Sequence, residues 1–322
     1  MSLPHDLPGR GLSRSAFIAA TAAAMMADAA HPAWGADLLP IRLGASPTDA
    51  TASGYYGIDQ GFYKAAGLDA TMQANRNTGA LAAAVSGGSL DAIGGSFVPI
   101  AAAVSSGLDF RAVAPGQIYD GGPPQAPMAV GLNSGITNGA GLAGKTIAVN
   151  GLRDLTHLFA VAWVDANGGD SSKVKVIEVP FPAMLPALLE GRVDACQMVE
   201  PFATAAKGKV TLLGDAMPAI APRFLVTGWF SSLAWLNANR ATAKKFQQAT
   251  LQANAWANAN YDASAAILGK YTPIPADVIR TLVRAKYATT LPTAELIQPV
   301  MTLMTKYFQT PKFNAADLIW KG

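Results

Sequence analysis

Residues 142–201 contain three short apolar runs, which are LAGKTIAV at 142–149, VKVIEV at 174–179 and VDACQMV at 193–199. Each run has the length and the β-branched content that are typical of a buried strand. Residues 158–167 and 184–190 lie between the runs, carry apolar side chains at helical spacing and are each followed by glycine. The order strand, helix, strand, helix, strand is typical of an open α/β sheet, whose ligand sites lie beyond the carboxyl ends of its strands.

An earlier segment repeats part of this pattern. The sequence AVSGGSLDA at 84–92 resembles ALLEGRVDA at 187–195. In both, a predicted helix ends at glycine, which adopts a positive φ without a Cβ clash, and Asp-Ala then leads into a predicted strand. The match predicts two similar α/β halves with a cleft between them. The alternative is a chance agreement of common turn sequences.

Gly and Pro residues indicate where the chain passes between the halves. The segment DGGPPQ at 120–125 predicts a linker, and FLVTGWF at 224–230 predicts a returning strand. Further helices are predicted over 53–65, 236–269, 273–290 and 293–309. We therefore expect lobe 1 to contain residues 37–124 and 227–322 with the C-terminal helices, and lobe 2 to contain residues 125–226.

Composition excludes several classes of protein. A chain of 322 residues with 51% hydrophobic and 14% charged residues is expected to form packed globular domains and not a disordered chain. The formal net charge is only +3, and no cluster of Lys and Arg is present, so we do not expect a nucleic-acid-binding protein.

The N-terminal residues are typical of an export signal. Arg10 and Arg14 precede an Ala-rich apolar run at 16–30, and small residues surround Ala36. We expect residues 1–36 to be removed, although an N-terminal helix of the mature fold is the alternative. Residues 13–17 resemble a twin-arginine signal that lacks its second arginine, so the Sec and Tat routes both stay open. We expect a periplasmic protein with no lipid anchor, because no cysteine lies near the cleavage point.

The residues that metal and thiol chemistry require are scarce. Cys196 is the single cysteine and lies within a predicted buried strand, where it is expected to be a small core residue. His157 is the only histidine after the predicted signal. We therefore expect no metal site, no cofactor and no catalytic centre.

Four motifs carry a resemblance to a known family. They are YGIDQGFYKAAGLD at 56–69, GSLDA at 88–92, LAGKTIAV at 142–149, and GRVDA at 191–195 with Glu200-Pro201. In this order and spacing the mature chain resembles the substrate-binding proteins of nitrate/sulfonate/taurine-type ABC importers. It is also similar to the branch that binds thiamine-pyrimidine precursors.

The resemblance implies a bilobal periplasmic-binding-protein type II fold, which is α/β with two open mixed sheets, flanking helices and two crossovers. It implies a monomer that captures a small molecule in the cleft and delivers it to an ABC permease in the inner membrane. Closure of the lobes about the crossovers would then couple ligand binding to recognition.

The loops that follow predicted strands are the candidate ligand contacts. The predicted ligand-binding residues are Thr48, Tyr55, Tyr56, Thr78, Ser96, Phe97, Gln117, Tyr119, Asn150, Arg153, Thr156, His157, Glu200 and Trp229. Helix starts near Thr78 and Asp154 would suit an anion, and Arg153 would add a bidentate clamp or else lie in solvent beside Asp154. Glu200 would meet an amine or have a structural role, and His157 would lie on a helix surface or at the rim of the cleft.

The five aromatic residues among these candidates favour an organic ligand, planar or sulfonate-bearing, over a small inorganic ion. Two other functions use the same fold. One is an enzyme of the pyrimidine-synthase type, which the lack of site chemistry disfavours. The other is a periplasmic sensor, which the sequence does not distinguish from a transport protein but which neighbouring genes for a permease and an ATPase would.

Overall fold

Two five-stranded mixed sheets organise the part of the chain that the computed structural model describes, which is residues 38–75, 78–272 and 274–322. In chain order the strands are β1 (Leu39–Ala45), β2 (Leu68–Ala74), β3 (Ala92–Ser96), β4 (Phe110–Pro115), β5 (Ile118–Tyr119), β6 (Pro127–Gly131), β7 (Thr146–Val149), β8 (Lys175–Glu178), β9 (Ala195–Gln197), β10 (Val210–Asp215), β11 (Phe224–Leu225) and β12 (Thr227–Ser232). The strand order is β2-β1-β3-β12-β4 in the first sheet and β10-β6-β9-β7-β8 in the second.

Both sheets combine parallel and antiparallel pairs. In the first sheet β1 runs parallel to β2 and β3, while β12 is antiparallel to β3 and β4. In the second sheet β7 runs parallel to β8 and β9, while β6 is antiparallel to β9 and β10. Strands β5 and β11, on the two passages between the sheets, pair with each other. The predicted α/β fold with two mixed sheets and two crossovers is confirmed.

Helices cover both sheets. In chain order they are α1 (Ser53–Asp59), α2 (Phe62–Ala65), α3 (Thr78–Ser86), α4 (Phe97–Ser105), α5 (Leu155–Ala166), α6 (Phe181–Leu189), α7 (Phe202–Ala206), α8 (Leu233–Ala238), α9 (Arg240–Ala259), α10 (Tyr261–Tyr271), α11 (Ala276–Thr281) and α12 (Ala294–Phe308). The helix predicted over 53–65 is divided at Gly61, which has φ 73°. The helical region predicted over 236–269 is three helices, because Asn239 and Asn260 leave the helical conformation and donate their side-chain amides to the carbonyls of Trp235 and Trp256.

The helix predicted over 273–290 is wrong beyond Thr281. Residues 282–288 are not helical, because their backbone makes hydrogen bonds to distant parts of the chain. The Ile118 N–H donates to the Lys286 carbonyl, and the Ala288 N–H donates to the Gly116 carbonyl. This segment, which we call the 282–288 segment, lies beside β5 and contributes to the cavity described below.

The two matched segments occupy equivalent places in the two sheets. Gly88 and Gly191 both have positive φ, at 73° and 70°. The aspartates that follow, Asp91 and Asp194, each accept a backbone N–H from the neighbouring strand: Arg42 N lies 2.7 Å from Asp91 Oδ2, and Thr146 N lies 2.8 Å from Asp194 Oδ2. The repeated Gly-x-x-Asp sequence therefore fixes the register of β3 beside β1 and of β9 beside β7.

One apolar cluster extends beneath both sheets. Helix α12 packs against α4 from the first half and α5 from the second, and buries Ile297 and Met301 with Phe159. A second cluster on the first sheet packs Trp229 and Phe246 together. Contacts join residues 38–322 into one compact unit, so the division into two lobes stays a prediction.

The predicted export signal at 1–36 lies outside the described residues. Within the described ranges, none of the helices has both the length and the apolar character needed to cross a membrane.

Candidate functional site

A cavity lies where strands of both sheets end. Its volume is about 800 Å³ when the space at its open mouth is included. Polar residues lining it are Ser46, Thr48, Asp49, Thr51, Thr78, Ser96, Gln117, Gln125, Asn150, Asp154, Thr156, Glu200 and Thr227. Apolar contributions come from Phe159, Phe181, Val199, Met217, Val226 and Val283, among others. We call this space the main cavity.

Seven of the predicted ligand contacts line the main cavity: Thr48, Thr78, Ser96, Gln117, Asn150, Thr156 and Glu200. Each lies at the end of a strand, in the loop that follows a strand, or at the first residues of a helix, as expected for an open α/β sheet. Residues from both sheets therefore meet at one site. That these side chains contact a ligand stays a prediction.

Three helices begin at the wall of the main cavity. Thr78 is the first residue of α3, Ser96 caps α4, and Asp154 caps α5. The Ser96 hydroxyl accepts the Val98 N–H at 3.1 Å, and Asp154 Oδ1 accepts the Leu155 N–H at 2.6 Å. The N-terminal ends of helices carry partial positive charge, so this part of the wall favours an electron-rich group.

Asn150 and Thr156 hold the loop between β7 and α5. The Asn150 N–H donates to Thr156 Oγ1 at 3.1 Å, and Asn150 Oδ1 accepts the Phe181 N–H at 3.3 Å. The loop is thus fastened both to α5 and to the start of α6. The Asn150 amide NH₂ and the Thr156 hydroxyl proton remain suitable as donors to a ligand.

Two acidic residues of the wall are withdrawn from water, Glu200 almost completely and Asp154 in part. Burial raises the pKa of Asp154, although the Leu155 N–H and Ser96 favour its charged form. Burial also raises the pKa of Glu200, whose carboxylate accepts both the N–H and the hydroxyl of Thr204, at 3.1 and 2.9 Å. Both carboxyl groups are consequently easier to protonate than in water, which lowers their repulsion of an anion.

A third acidic residue, Asp49, is paired. Its carboxylate accepts Arg284 Nε at 3.0 Å from each oxygen and the Ala285 N–H at 2.6 Å. Burial alone would lower the pKa of Arg284, but Asp49 and Tyr56 raise it above its ordinary value. This pair fastens the 282–288 segment to the loop after β1, and it places Val283 and Ala285 in the cavity wall.

The predicted aromatic lining is not formed by the five predicted residues, because each lies on the buried side of its element. Tyr55 stacks on Tyr271, Tyr56 contacts Trp256 and Tyr287, Phe97 contacts Phe230, Tyr119 contacts Phe224, and Trp229 contacts Phe246. Aromatic contacts in the main cavity come instead from Phe159 and Phe181. Neither was predicted, since a helix pattern does not show which of its apolar residues reaches a cleft.

Arg153 and His157 also lie outside the main cavity. The backbone N–H of Arg153 donates to His157 Nδ1 at 3.0 Å, and the Arg153 guanidinium donates to the Phe308 carbonyl at 2.8 Å. Burial and the nearby Arg153 lower the pKa of His157 to about 4, so its ring is neutral at pH 7. The predicted anion clamp is therefore engaged with the end of α12, and among the described lining residues there is no Lys, Arg or His.

The cysteine thiol does not line the main cavity. Cys196 is fully buried, its thiol donates to the Met184 carbonyl, and burial raises its pKa to about 12. No cluster of three or more His, Cys, Asp or Glu residues suited to a metal ion occurs in the described ranges.

A family model described as NMT1/THI5 like matches residues 50–264, which is more than half of the chain. The chain belongs to the NMT1/THI5-like family. A search of curated protein sequences finds no match.

Solved structures share the fold. The periplasmic aliphatic sulphonate binding protein SsuA from Escherichia coli superposes with a TM-score of 0.73 at 18% identity, over 88% of this chain and 92% of that chain. The periplasmic nitrate-binding protein NrtA from Synechocystis PCC 6803 gives 0.65 at 15% identity, over 75% and 69%. The desulfurization enzyme DSZB gives 0.63 at 12% identity, over 86% and 96%. The resemblance inferred from the four motifs is confirmed, and at these identities the likeness to each structure concerns the fold.

Proposed function

We propose that this protein is the extracytoplasmic solute-binding component of an ABC importer and that it holds a small organic solute in the main cavity. The observation that carries the proposal is the convergence of strand ends from both sheets on one partly enclosed cavity, which polar and apolar residues line together. Family membership supports it, as do SsuA and NrtA, whose names describe periplasmic binding of sulfonate and nitrate. The proposal includes export to the periplasm, a monomeric state and a permease partner in the inner membrane.

We further propose that the polar end of the solute is electron-rich, as in a sulfonate or carboxylate. The starts of α3, α4 and α5 border the cavity, and hydroxyl and amide donors surround them. Asp154 and Glu200 oppose an anion only when they are ionised, and burial raises the pKa of both. Phe159 and Phe181 supply apolar contacts that an inorganic ion would leave unused.

An enzymatic role is the second candidate, because DSZB shares the fold. The side chains that line the main cavity favour binding over catalysis. Cys196, the one cysteine, lies outside the cavity wall, and the His157 ring faces Phe308. The Ser96 hydroxyl lies beside the Asp154 carboxylate, but both side chains are engaged as helix caps, and no Cys, His or Lys, which covalent catalysis commonly uses, is found among the described lining residues.

A thermal-shift screen tests the proposal. The purified protein is heated with nitrate, bicarbonate, taurine, alkyl and aryl sulfonates, aromatic carboxylates, pyrimidines and flavins. A ligand that binds only the folded state raises Tm, by an amount that grows with its concentration. We expect a shift with one organic class that Asn150→Ala reduces and that Asn237→Ala, an exposed residue outside the cavity, does not. Conversion of a ligand to product during incubation would favour the enzyme instead.

Transport and sensing are then separated by an uptake assay. Deleting the gene from the source organism should abolish uptake of the radiolabelled ligand if the protein serves an importer. Unchanged uptake together with a lost transcriptional response to the ligand would indicate a sensor.

A further inference from the structure

A second cavity opens directly beside the main cavity, and its walls are almost entirely apolar. It has a volume of about 650 Å³, again with the space at its mouth included. Its apolar lining residues are Pro47, Phe181, Pro182, Pro201, Phe202, Ala205, Ile274, Pro275 and Val278. We call it the annex.

The annex and the main cavity share part of their walls. Ser46, Thr48, Asn150 and Phe181 line both of them. Three of these four residues are polar, and they separate a wall rich in hydroxyls, amides and carboxyls from a wall of prolines and apolar side chains. A molecule that occupied both spaces would therefore meet hydrogen-bonding groups at one end and apolar surface at the other.

Part of the apolar wall of the annex is exposed to solvent, and its two phenylalanine rings pack against each other. The rings of Phe181 and Phe202 stack with their centroids 5.1 Å apart and their planes 14° from parallel. Each begins a helix, α6 or α7, so the pair is held by the backbone of two elements. Both side chains are only partly buried, and Pro182, Ala205 and Pro275 are exposed. Covering exposed apolar surface with a ligand removes it from water, which favours binding.

The walls come from both halves of the chain. Phe202 and Ala205 follow β9 of the second sheet, whereas Pro275 and Val278 belong to the C-terminal helical region beside the first sheet. Helices α7 and α11 contact each other here. An apolar group in the annex would consequently touch both halves at once.

From this geometry we infer that the annex binds the apolar tail of the same solute whose polar end occupies the main cavity. The inference rests on the proposed function and narrows it: the solute is an amphiphile with an extended hydrocarbon or aromatic part, and not a compact ion. Affinity should then increase with tail length, by up to about fourfold for each methylene group that becomes fully buried.

Two homologous series test the inference without knowledge of the natural polar group. They are n-alkane-1-sulfonates and n-alkylamines with chains of two to eight carbons, titrated calorimetrically into the protein. We expect Kd to fall two- to fourfold per carbon in one series. Ala205→Trp, which fills the annex, should weaken binding of the eight-carbon member at least tenfold while changing the two-carbon member less than twofold.

Control variants separate the annex from general effects. Ala241→Trp adds the same side chain at an exposed position of α9 and should leave both members unchanged. Val278→Ser removes apolar surface from the opposite wall without filling the annex and should flatten the dependence on tail length. Melting temperatures of all variants show whether Ala205→Trp folds. If it does not fold, the dependence of affinity on tail length in Val278→Ser tests the annex instead.

Different failures have different meanings. Binding that is independent of tail length, or a loss with Ala205→Trp that is equal for short and long members, overturns the annex and leaves solute capture in the main cavity intact. Binding of nitrate or bicarbonate alone, with neither series bound, also overturns the annex. If neither the series nor any member of the screening panel binds, the proposed function fails with it.

Discussion

Replacing Arg284 by methionine should destabilise the protein strongly, because it leaves a buried carboxylate without its cation. The side chains of Arg284 and Asp49 are 6% and 2% exposed, so water cannot take over the lost contacts. Arg284 donates to both Asp49 oxygens at 3.0 Å and to the Tyr56 hydroxyl at 2.6 Å. Its guanidinium also lies 5.3 Å from the ring centre of Tyr261.

The expected loss in the free energy of unfolding is about 3–5 kcal/mol, the cost typical of breaking a buried pair by removing one partner. Urea unfolding followed by circular dichroism measures it. The double variant Asp49→Asn/Arg284→Met should lose less than the sum of its two single variants, since neither buried charge is then left unpaired. The ligand affinity of Arg284→Met should fall as well, because Val283 and Ala285 line the main cavity.

A matched ion pair on the surface supplies the control. Lys270 Nζ lies 2.8 Å from Asp59 Oδ1, but the lysine side chain is 60% exposed. Lys270→Met should therefore cost less than about 1 kcal/mol. If Arg284→Met costs no more than Lys270→Met, the Asp49–Arg284 pair does not hold the 282–288 segment in place and the reasoning is refuted.

Three further outcomes are expected. Trp229→Ala should lower the free energy of unfolding by about 3–5 kcal/mol, because it leaves a cavity beside Phe246 in the core. Ligand affinity should change less than twofold, and a larger loss would indicate that Trp229 contacts the ligand. Cys196 should resist iodoacetamide in the native protein at pH 8 and react in urea, because burial raises its thiol pKa to about 12. Mass spectrometry detects the adduct, and labelling of the native protein would contradict the burial of the thiol. Affinity for a sulfonate should increase as the pH is lowered from 8 to 5. Burial raises the pKa of Asp154 above 3.8 and that of Glu200 above 4.5, so both carboxylates take up a proton and lose their negative charge at a higher pH than in water. Calorimetry should show no such trend in Asp154→Asn/Glu200→Gln.

The elements that the sequence predicts well are those defined by local patterns. The Gly-x-x-Asp repeat specifies a helix end, a tight turn and a hydrogen bond to the neighbouring strand, all within a few residues of Asp91 or Asp194. Short apolar runs bounded by Gly and Pro likewise correspond to β7, β8 and β9. Such signals require no knowledge of distant residues.

The parts of the site that escaped prediction depend on contacts between distant residues. Asp49 and Arg284 are 235 residues apart, and no local pattern links them. Residues 282–288 have the composition of a helix, but a tertiary hydrogen bond such as that from Tyr287 N to Asn258 Oδ1 holds them in another conformation. The position of an aromatic residue in the chain predicts that it lies near the cleft, but it does not show which face of α1 or β12 is buried. That face depends on the helices packed against it.

The most direct test of solute capture is a crystal structure of the protein with the organic ligand that gives the largest thermal shift. The account predicts electron density in the main cavity, with a polar group within hydrogen-bonding distance of Asn150 or Thr156 and within reach of the starts of α3, α4 and α5. Density at any other place on the surface, with the main cavity holding only water, would contradict it.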